Sequence, residues 1–192
     1  MNDTDKSLID AHLRGDPQAF GRIVRRYGDG VFGYLMQMTG NKQQAEDFFQ
    51  ETFKRVHEKS GTLRGSGLKS WLYKIATNVA YDGFRKDRLV EAHTQKLDCI
   101  NHNGETFESS AAVADSSSDP SVLTVKAEQV EQVRNALDLL PAKQKATLVL
   151  AYYQQLSYNE VAMALNCSVG TVKTQMYRAL RTLAQKLPEV DL

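Results

Sequence analysis

Residues 156–183 read LSYNEVAMALNCSVGTVKTQMYRALRTL, and this stretch predicts two short helices that meet across a tight turn. Ser157 and Glu160 form the S-x-x-E pattern of a capping box, so the first helix is expected to begin directly after Ser157. The turn falls at residues 166–168, and Ser168 can cap the second helix. The apolar side chains expected to face inward are Val161, Ala162, Leu165, Val169, Val172, Met176, Ala179 and Leu180.

This pair of helices has the layout of a helix-turn-helix, whose second helix enters the major groove of DNA. The outward side of the second helix carries cationic, amide and hydroxyl groups, which suit base edges and phosphates. The candidate contacts to duplex DNA are Thr171, Lys173, Thr174, Gln175, Tyr177, Arg178 and Arg181. Any helical hairpin has an apolar inside and a polar outside, so the pattern alone leaves a purely structural hairpin open.

A second candidate nucleic-acid surface lies in residues 62–89, where cations alternate with aromatic side chains. Lys69, Lys74 and Arg85 are interleaved with Trp71 and other rings, and unstacked bases on a single strand bind to such surfaces. Asn78 can hydrogen-bond the edge of a flipped base. The competing interpretation is that Trp71 and its apolar neighbours belong to the core.

Helical periodicity runs through most of the 192 residues, and long strand-like alternation is absent. The exception is residues 90–121, which are rich in Ser, Asp, Asn and Glu and continue no apolar period. We therefore predict an all-α chain with two helical domains, residues 1–90 and 122–192, joined by a flexible linker over residues 91–121.

Charge follows the same division, because the overall charge of +1 hides a segregation. Residues 1–90 carry a charge of +4 and residues 126–192 a charge of +2, whereas residues 91–125 carry −5. Basic patches can bind a polyanion even in a nearly neutral chain. No apolar run is long enough to span a membrane. The polar, acidic N-terminus and the two separated cysteines favour a cytoplasmic protein without disulfides.

Enzymatic motifs are missing from the sequence: there is no GxxxxGK[ST], HExxH, GxSxG or CxxC pattern. We therefore expect no covalent chemistry, no cofactor and no metal. One alternative stays open, because His93, Cys99 and His102 cluster in the linker and could bind a metal or respond to redox state.

Four blocks together resemble the extracytoplasmic-function (ECF) group of bacterial sigma factors in the sigma-70 family. The blocks are GDPQAFGRIVRRYGDGVFGYL (15–35), QAEDFFQETFKRVHE (44–58), LRGSGLKSWLYKIATNVAYDGFRK (63–86) and the stretch from LPAKQKATLVL to ALRTL (140–183). The resemblance implies that the N-terminal domain is sigma domain 2, the C-terminal domain is sigma domain 4, and the linker replaces domain 3.

The resemblance also implies roles for individual residues. The third helix would dock on the clamp helices of the largest polymerase subunit through Glu46, Asp47, Gln50, Glu51 and Arg55. The −10 element would be read and opened by Leu63, Arg64, Lys69, Trp71, Lys74, Asn78 and Arg85. The −35 element would be read by the second helix of the helix-turn-helix, where Gln175 stands at a position that more often holds a cation.

The expected partners are core RNA polymerase, including the flap of the second-largest subunit, promoter DNA and an anti-sigma factor, with no direct membrane insertion. Two alternatives remain: a stand-alone helix-turn-helix regulator of duplex DNA, and a helical adaptor without a role on DNA. The aromatic and basic N-terminal domain argues against a stand-alone regulator, because that hypothesis gives this domain no role.

Overall fold

The computed structural model describes residues 4–63, 67–97 and 132–186, and in residues 90–97 the backbone alone. Regular structure in this part of the chain is entirely helical, which confirms the predicted all-α class. The α-helices are α1 (Asp5–Leu13), α2 (Ala19–Thr39), α3 (Lys42–Lys59), α4 (Leu68–Leu97), α5 (132–138), α6 (Ala142–Leu148), α7 (Tyr158–Leu165) and α8 (Val169–Lys186). A 3₁₀ turn (Ser60–Thr62) follows α3, and a π-helical segment (Val149–Tyr153) follows α6.

Helix ends coincide with residues whose chemistry favours them. Gly40 ends α2 in the left-handed conformation (φ +65°), which only glycine adopts without steric cost, and its N–H donates to the Met36 carbonyl. Asn41 then caps α3, its side chain accepting a hydrogen bond of 3.0 Å from the Gln44 N–H. Because one helix stops and the next starts within two residues, α2 and α3 form a tight antiparallel hairpin.

The N-terminal helices pack as a bundle in which α2 contacts α1, α3 and α4. At its centre the Tyr34 hydroxyl shares a hydrogen bond of 2.7 Å with the Thr77 hydroxyl, so a buried polar pair is satisfied. Gly83 on α4 lies against the Phe48 ring of α3, and any Cβ at this position would overlap the ring. The missing side chain therefore lets α3 and α4 approach closely.

The helix-turn-helix forms as predicted. Ser157 and Glu160 complete both halves of the capping box of α7, and the Ser168 hydroxyl accepts a hydrogen bond of 3.0 Å from the Thr171 N–H at the start of α8. Val172, Met176 and Ala179 are buried under α8. The prediction that Leu180 faces inward is wrong: its side chain is 54% exposed, because one residue after Ala179 the helix has turned by about 100°.

One apolar core crosses the predicted domain boundary. Its buried side chains come both from α2 and α4 and from α6, α7 and the π segment. Helix α4 continues to Leu97, seven residues past the predicted end of the first domain, whereas residues 98–121 of the predicted linker lie outside the described residues. The N-terminal and C-terminal helices thus pack against each other in what we call the closed arrangement, mainly through α4 and α7. Among the described residues, no helix is long and apolar enough to cross a membrane.

Candidate DNA and polymerase interfaces

Helix α8 presents the predicted duplex-reading side chains to solvent. Six of the seven are exposed and Gln175 is half-buried, because the heptad-like burial of Val172, Met176 and Ala179 turns the opposite face outward. Tyr177 at the centre of this face is 66% exposed. Its ring and the neighbouring cations are therefore available to a partner from solvent.

The cations of α8 form no ion pair within the part of the chain that the structure describes. These cations are Lys173, Arg178 and Arg181, and ion pairs do occur elsewhere in the same part of the chain. Thr174 differs, because its hydroxyl donates a hydrogen bond of 3.0 Å to the Gly170 carbonyl of its own helix. This face of α8 is therefore positively charged and one helix wide. The major groove admits a single helix and is flanked by negative phosphates, so the two are complementary in shape and charge.

Four residues predicted to read the −10 element lie on one stripe of α4. Trp71, Lys74, Asn78 and Arg85 follow each other at steps of three, four and seven, so they share one face of the helix. Asn78 is exposed and Trp71 and Lys74 are half-buried. Trp71 also packs against the core, as the competing interpretation predicted, while part of its ring stays open to solvent.

The amide of Asn78 makes no hydrogen bond to any described residue, so its donor and its acceptor are both available. Leu63, at the loop before α4, is half-buried and packs on the core, whereas Arg64 lies outside the described residues. Asn78 and the partly open ring of Trp71 thus lie on the same face of α4, two turns apart, and both groups are of the kinds that bind an extruded base.

Lys69 is the exception in the predicted −10 set, because it is engaged inside the protein. Its Nζ donates a hydrogen bond of 2.8 Å to the main-chain carbonyl of Gln154, which follows the π segment. One turn further along α4, the Tyr73 hydroxyl donates to Oε1 of the same Gln154 at 2.6 Å. In the closed arrangement, the start of α4 is therefore covered by the C-terminal helices.

The predicted polymerase surface on α3 lies open. Asp47 and Gln50 are exposed and Glu46 is half-buried. Arg55 holds a carboxylate on each side: its Nε donates to Glu51 at 2.7 Å and its Nη1 to Asp82 of α4 at 3.3 Å. The hydrogen bond from Arg55 lowers the pKa of the Glu51 carboxyl, so this acidic group stays charged.

Asp82 connects the two candidate surfaces, since its other oxygen accepts a hydrogen bond of 3.2 Å from Arg85. One carboxylate thus orients a cation on the polymerase surface and a cation on the −10 stripe. The groups are substantially exposed, so the pairs contribute orientation more than stability.

A groove of about 400 Å³ opens between α4 and α6. Its lining combines apolar groups with three cations and consists of Tyr81, Arg85, Arg88, Leu89, Ala142 and Lys143. Burial raises the pKa of Tyr81, one of the lining residues, to about 12. No signal in the sequence pointed to this groove, because its two walls are more than fifty residues apart in the chain.

Metal ligands are sparse in the described side chains, where no group of three or more His, Cys, Asp or Glu residues comes together. The alternative of a metal or redox site at His93, Cys99 and His102 lies outside the side chains that the structure describes. Cys167, in the helix-turn-helix, is half-buried, and burial raises the pKa of its thiol.

Comparisons with known proteins show which family the chain belongs to. The family model described as "Sigma-70 region 2" matches residues 23–90, and the model described as "Sigma-70, region 4" matches residues 130–183. The first match contains α3 and the α4 stripe, and the second contains the helix-turn-helix. This pairing defines the class: a helical factor of transcription initiation.

Full-length relatives narrow the class further. The RNA polymerase sigma-H factor of Pseudomonas aeruginosa is 30% identical over 186 residues, which cover 95% of this chain and 93% of the relative. The ECF RNA polymerase sigma factor SigW of Bacillus subtilis is 32% identical over 189 residues, covering 96% and 97%. Among solved structures, the sigma factor RpoE of Bartonella quintana, in complex with the anti-sigma factor NepR, matches with a TM-score of 0.69 at 25% identity, covering 91% of this chain and 99% of that one.

The chain therefore belongs to the ECF sigma factors of the sigma-70 family. It binds core RNA polymerase and promoter DNA and directs the polymerase to promoters. Members of this family are not enzymes in the catalytic sense.

Proposed function

We propose that this sigma factor divides promoter recognition between its two helical surfaces. The exposed face of α8 reads the −35 element as a duplex, and the stripe of α4 captures bases of the −10 element as a single strand. Residues 1–90 act as sigma domain 2 and residues 122–192 as sigma domain 4, with residues 91–121 as the connection. The protein itself does no covalent chemistry and works in the cytoplasm, where polymerase and DNA are found.

This proposal is supported by two separate surfaces of the chain whose polar groups have no partner among the described residues. The cations of α8 form no ion pair, and the Asn78 amide of α4 forms no hydrogen bond within the described residues. Unpaired cations are suited to phosphates and guanine edges, whereas an unpaired amide beside a ring is suited to an extruded base. A stand-alone regulator of duplex DNA would use the first surface and leave the second unexplained.

Polymerase docking is proposed for the open face of α3, on the clamp helices of the largest subunit, with the flap of the second-largest subunit contacted by the C-terminal domain. Asp47 and Gln50 project freely from α3, and the Arg55 pairs fix the charged groups beside them. Charges held in place in this way orient a charged partner helix and speed its association.

The decisive experiment is run-off transcription of genomic DNA from the source organism by core polymerase, with and without the protein, followed by sequencing of the transcript 5′ ends. A sigma factor produces new, discrete start sites that share upstream motifs. A stand-alone regulator would bind duplex DNA without polymerase and create no start sites, and an adaptor would do neither.

Charge-reversal variants test the docking surface in the same assay. We expect Asp47→Arg to weaken binding to core polymerase, whereas Asp29→Arg, at an exposed position of α2 outside the proposed surface, should bind normally. Equal binding by both variants would remove α3 from the polymerase interface.

An anti-sigma factor is proposed as the regulatory partner. The support is that the Bartonella quintana RpoE structure, which covers most of this chain, is a complex with an anti-sigma factor. Co-purification from the source organism after mild crosslinking tests this. The expected product is a protein that suppresses run-off transcription when it is added back in equimolar amount, and a purified chain with no such companion would contradict it.

A further inference from the structure

The groove between α4 and α6 brings three cations together beside apolar surface. Arg85 and Arg88 are three residues apart, so they share a face of α4, and Lys143 comes from the first turn of α6 on the opposite wall. No carboxylate is among the residues that line the groove. Because like charges repel each other, cations gathered in this way favour an anion between them.

The donors of these cations are largely available to a ligand. Arg88 and Lys143 are exposed and form no ion pair within the part of the chain that the structure describes. Arg85 is paired with Asp82 through one nitrogen, and its side chain is 75% exposed. A guanidinium carries five N–H donors in a planar fork that fits phosphate oxygens, and an ammonium carries three donors. The charged part of the groove therefore suits a ligand with several phosphate oxygens.

The apolar part of the groove offers a contact of a different kind. The Tyr81 ring lies beside Leu89, whose side chain is 58% exposed, and beside Ala142. The Tyr81 hydroxyl donates a hydrogen bond of 3.5 Å to the Ala142 carbonyl, so the polar end of this side chain has a partner in the opposite wall. Aromatic and aliphatic side chains of this kind pack against a flat ring of a ligand.

Size and lining together narrow the class of ligand. The volume of about 400 Å³ lies within the range of about 300–1,000 Å³ that is typical of small-molecule sites. An inorganic anion would leave the apolar surface without a contact, whereas an uncharged apolar molecule would remove water from three cations and give them no partner. A nucleotide meets both requirements, because its base is a flat ring and its phosphates carry several negative charges.

We propose that this groove binds a nucleoside triphosphate. Arg85, Arg88 and Lys143 hold the phosphates, and the base packs against Tyr81 and Leu89. Arg85 also belongs to the α4 stripe, so a bound nucleotide competes with the −10 strand for this cation. The competition rests on the proposed −10 role of α4, whereas nucleotide binding itself does not.

Equilibrium binding to the full chain tests the site. The probe is ATP with a fluorescent group on its ribose, titrated at about 150 mM salt, where attraction between exposed charges is screened beyond about 8 Å. We expect saturable binding that unlabelled ATP displaces, with adenosine and inorganic tripolyphosphate each about tenfold or more less effective. Displacement by tripolyphosphate at the level of ATP would overturn the proposal, because charge alone would then be recognised, and so would an absence of saturable binding.

Charge variants locate the bound nucleotide. Lys143→Glu should weaken binding about tenfold or more, the effect of losing a hydrogen bond between charged groups. Lys86→Glu is the matched control, since Lys86 is an exposed cation of α4 that does not line the groove, and its binding should stay within about twofold of the parent. Equal weakening by the two variants would place the nucleotide outside the groove and overturn the site.

A variant that fills the groove separates its shape from its charge. Ala142→Phe adds a ring to one wall without changing a charge, and it should also weaken binding about tenfold or more. Circular dichroism checks that its helices are kept. If Ala142→Phe fails to fold, the comparison of Lys143→Glu with Lys86→Glu decides. Binding by a folded Ala142→Phe at the level of the parent would overturn the groove as the site.

The acidic segment of the chain itself is the competing occupant, because residues 91–125 carry a charge of −5. A variant in which the six acidic residues of this segment are changed to their amides should bind the nucleotide as the parent does. Binding by this variant alone would assign the groove to the acidic segment and overturn the nucleotide site.

A second titration tests the competition with DNA. The probe is a fluorescent single-stranded oligonucleotide of the non-template −10 region from a promoter mapped by the run-off assay. Saturating ATP should weaken its binding to the parent and leave its binding to Lys143→Glu unchanged. Equal binding to the parent with and without ATP would overturn the competition and count against the −10 role of Arg85, while the nucleotide site stands. An oligonucleotide that does not bind the parent even without ATP would overturn the competition together with the −10 role.

Discussion

Replacing Asn78 by alanine should impair promoter opening and little else. The side chain is exposed and makes no hydrogen bond to a described residue, so its loss should change the free energy of unfolding by less than about 0.5 kcal/mol. It lies on the α4 stripe and belongs neither to the proposed polymerase surface of α3 nor to the proposed DNA surface of α8. Binding of polymerase and of the −35 duplex should therefore stay at the level of the parent protein.

The magnitude follows from the chemistry of the amide. An asparagine offers one donor group and one acceptor to a base edge, so two hydrogen bonds are lost with it. At about 0.5–1.5 kcal/mol net for each bond, the open complex loses about 1–3 kcal/mol. This corresponds to a decrease of about 5- to 150-fold in the equilibrium constant for opening.

Permanganate footprinting of unpaired thymines on a mapped promoter measures the effect. Asn78→Ala should reduce thymine reactivity in the −10 region, and Asn159→Ala, an exposed asparagine on α7, serves as the matched control. On a template with a pre-melted −10 region that keeps its bases, binding of the polymerase complex should still be weaker for Asn78→Ala, because capture of the base is what fails. Opening by Asn78→Ala at the level of the parent would refute a base contact at this residue.

Three further predictions follow from the same structure. Arg178→Ala should weaken binding to −35 duplex by about 1–3 kcal/mol in a gel-shift titration without affecting polymerase binding, and an equal loss of both would mean that α8 is misassigned. Gly83→Ala should destabilise the protein in urea by about 1–3 kcal/mol because the new Cβ overlaps Phe48, whereas Gly33→Ala should be neutral or stabilising; similar midpoints for the two would contradict the close packing. Hydrogen bonds from the Ser157 hydroxyl and N–H lower the pKa of Glu160 in the folded protein, so the stability that this carboxylate contributes is present above its unfolded pKa and is lost as pH falls through its folded pKa. Glu160→Gln should therefore lose less stability than the parent below pH about 4.5 in acid unfolding. An acid unfolding profile identical to that of the parent would argue against this effect.

Local signals in the sequence were sufficient for these helices and for the solvent-exposed face of α8. The Ser157–Glu160 pattern, the Ser168 cap and the spacing of Val172, Met176 and Ala179 are all short-range, and the structure has them as expected. Leu180 is apolar, and a prediction from apolar character alone places it inside, but its position in the helical repeat directs it to solvent. An exposed leucine is common on protein surfaces, so composition alone could not have corrected the error.

The assignment of the N-terminal surface relied on the order of several blocks. Cations interleaved with rings predict single-strand binding only weakly, because a ring such as Trp71 can also pack against the core, as it does here. The −10 and polymerase residues therefore stay predictions that the experiments above test, and Arg64 and the linker lie outside the described residues.

By itself, the sequence determined the helical class, the helix-turn-helix and the residues that could meet DNA, because caps, turns and helical periodicity act over a few residues. Only the tertiary structure decided that Lys69 and Tyr73 bind Gln154 and that a Cβ at position 30 would crowd the Tyr73 hydroxyl. It also decided that Asp82 joins the two candidate surfaces. Contacts between residues more than eighty positions apart depend on how whole helices pack. No pattern within one helix carries that information, since the same amphipathic face can be buried against any complementary partner.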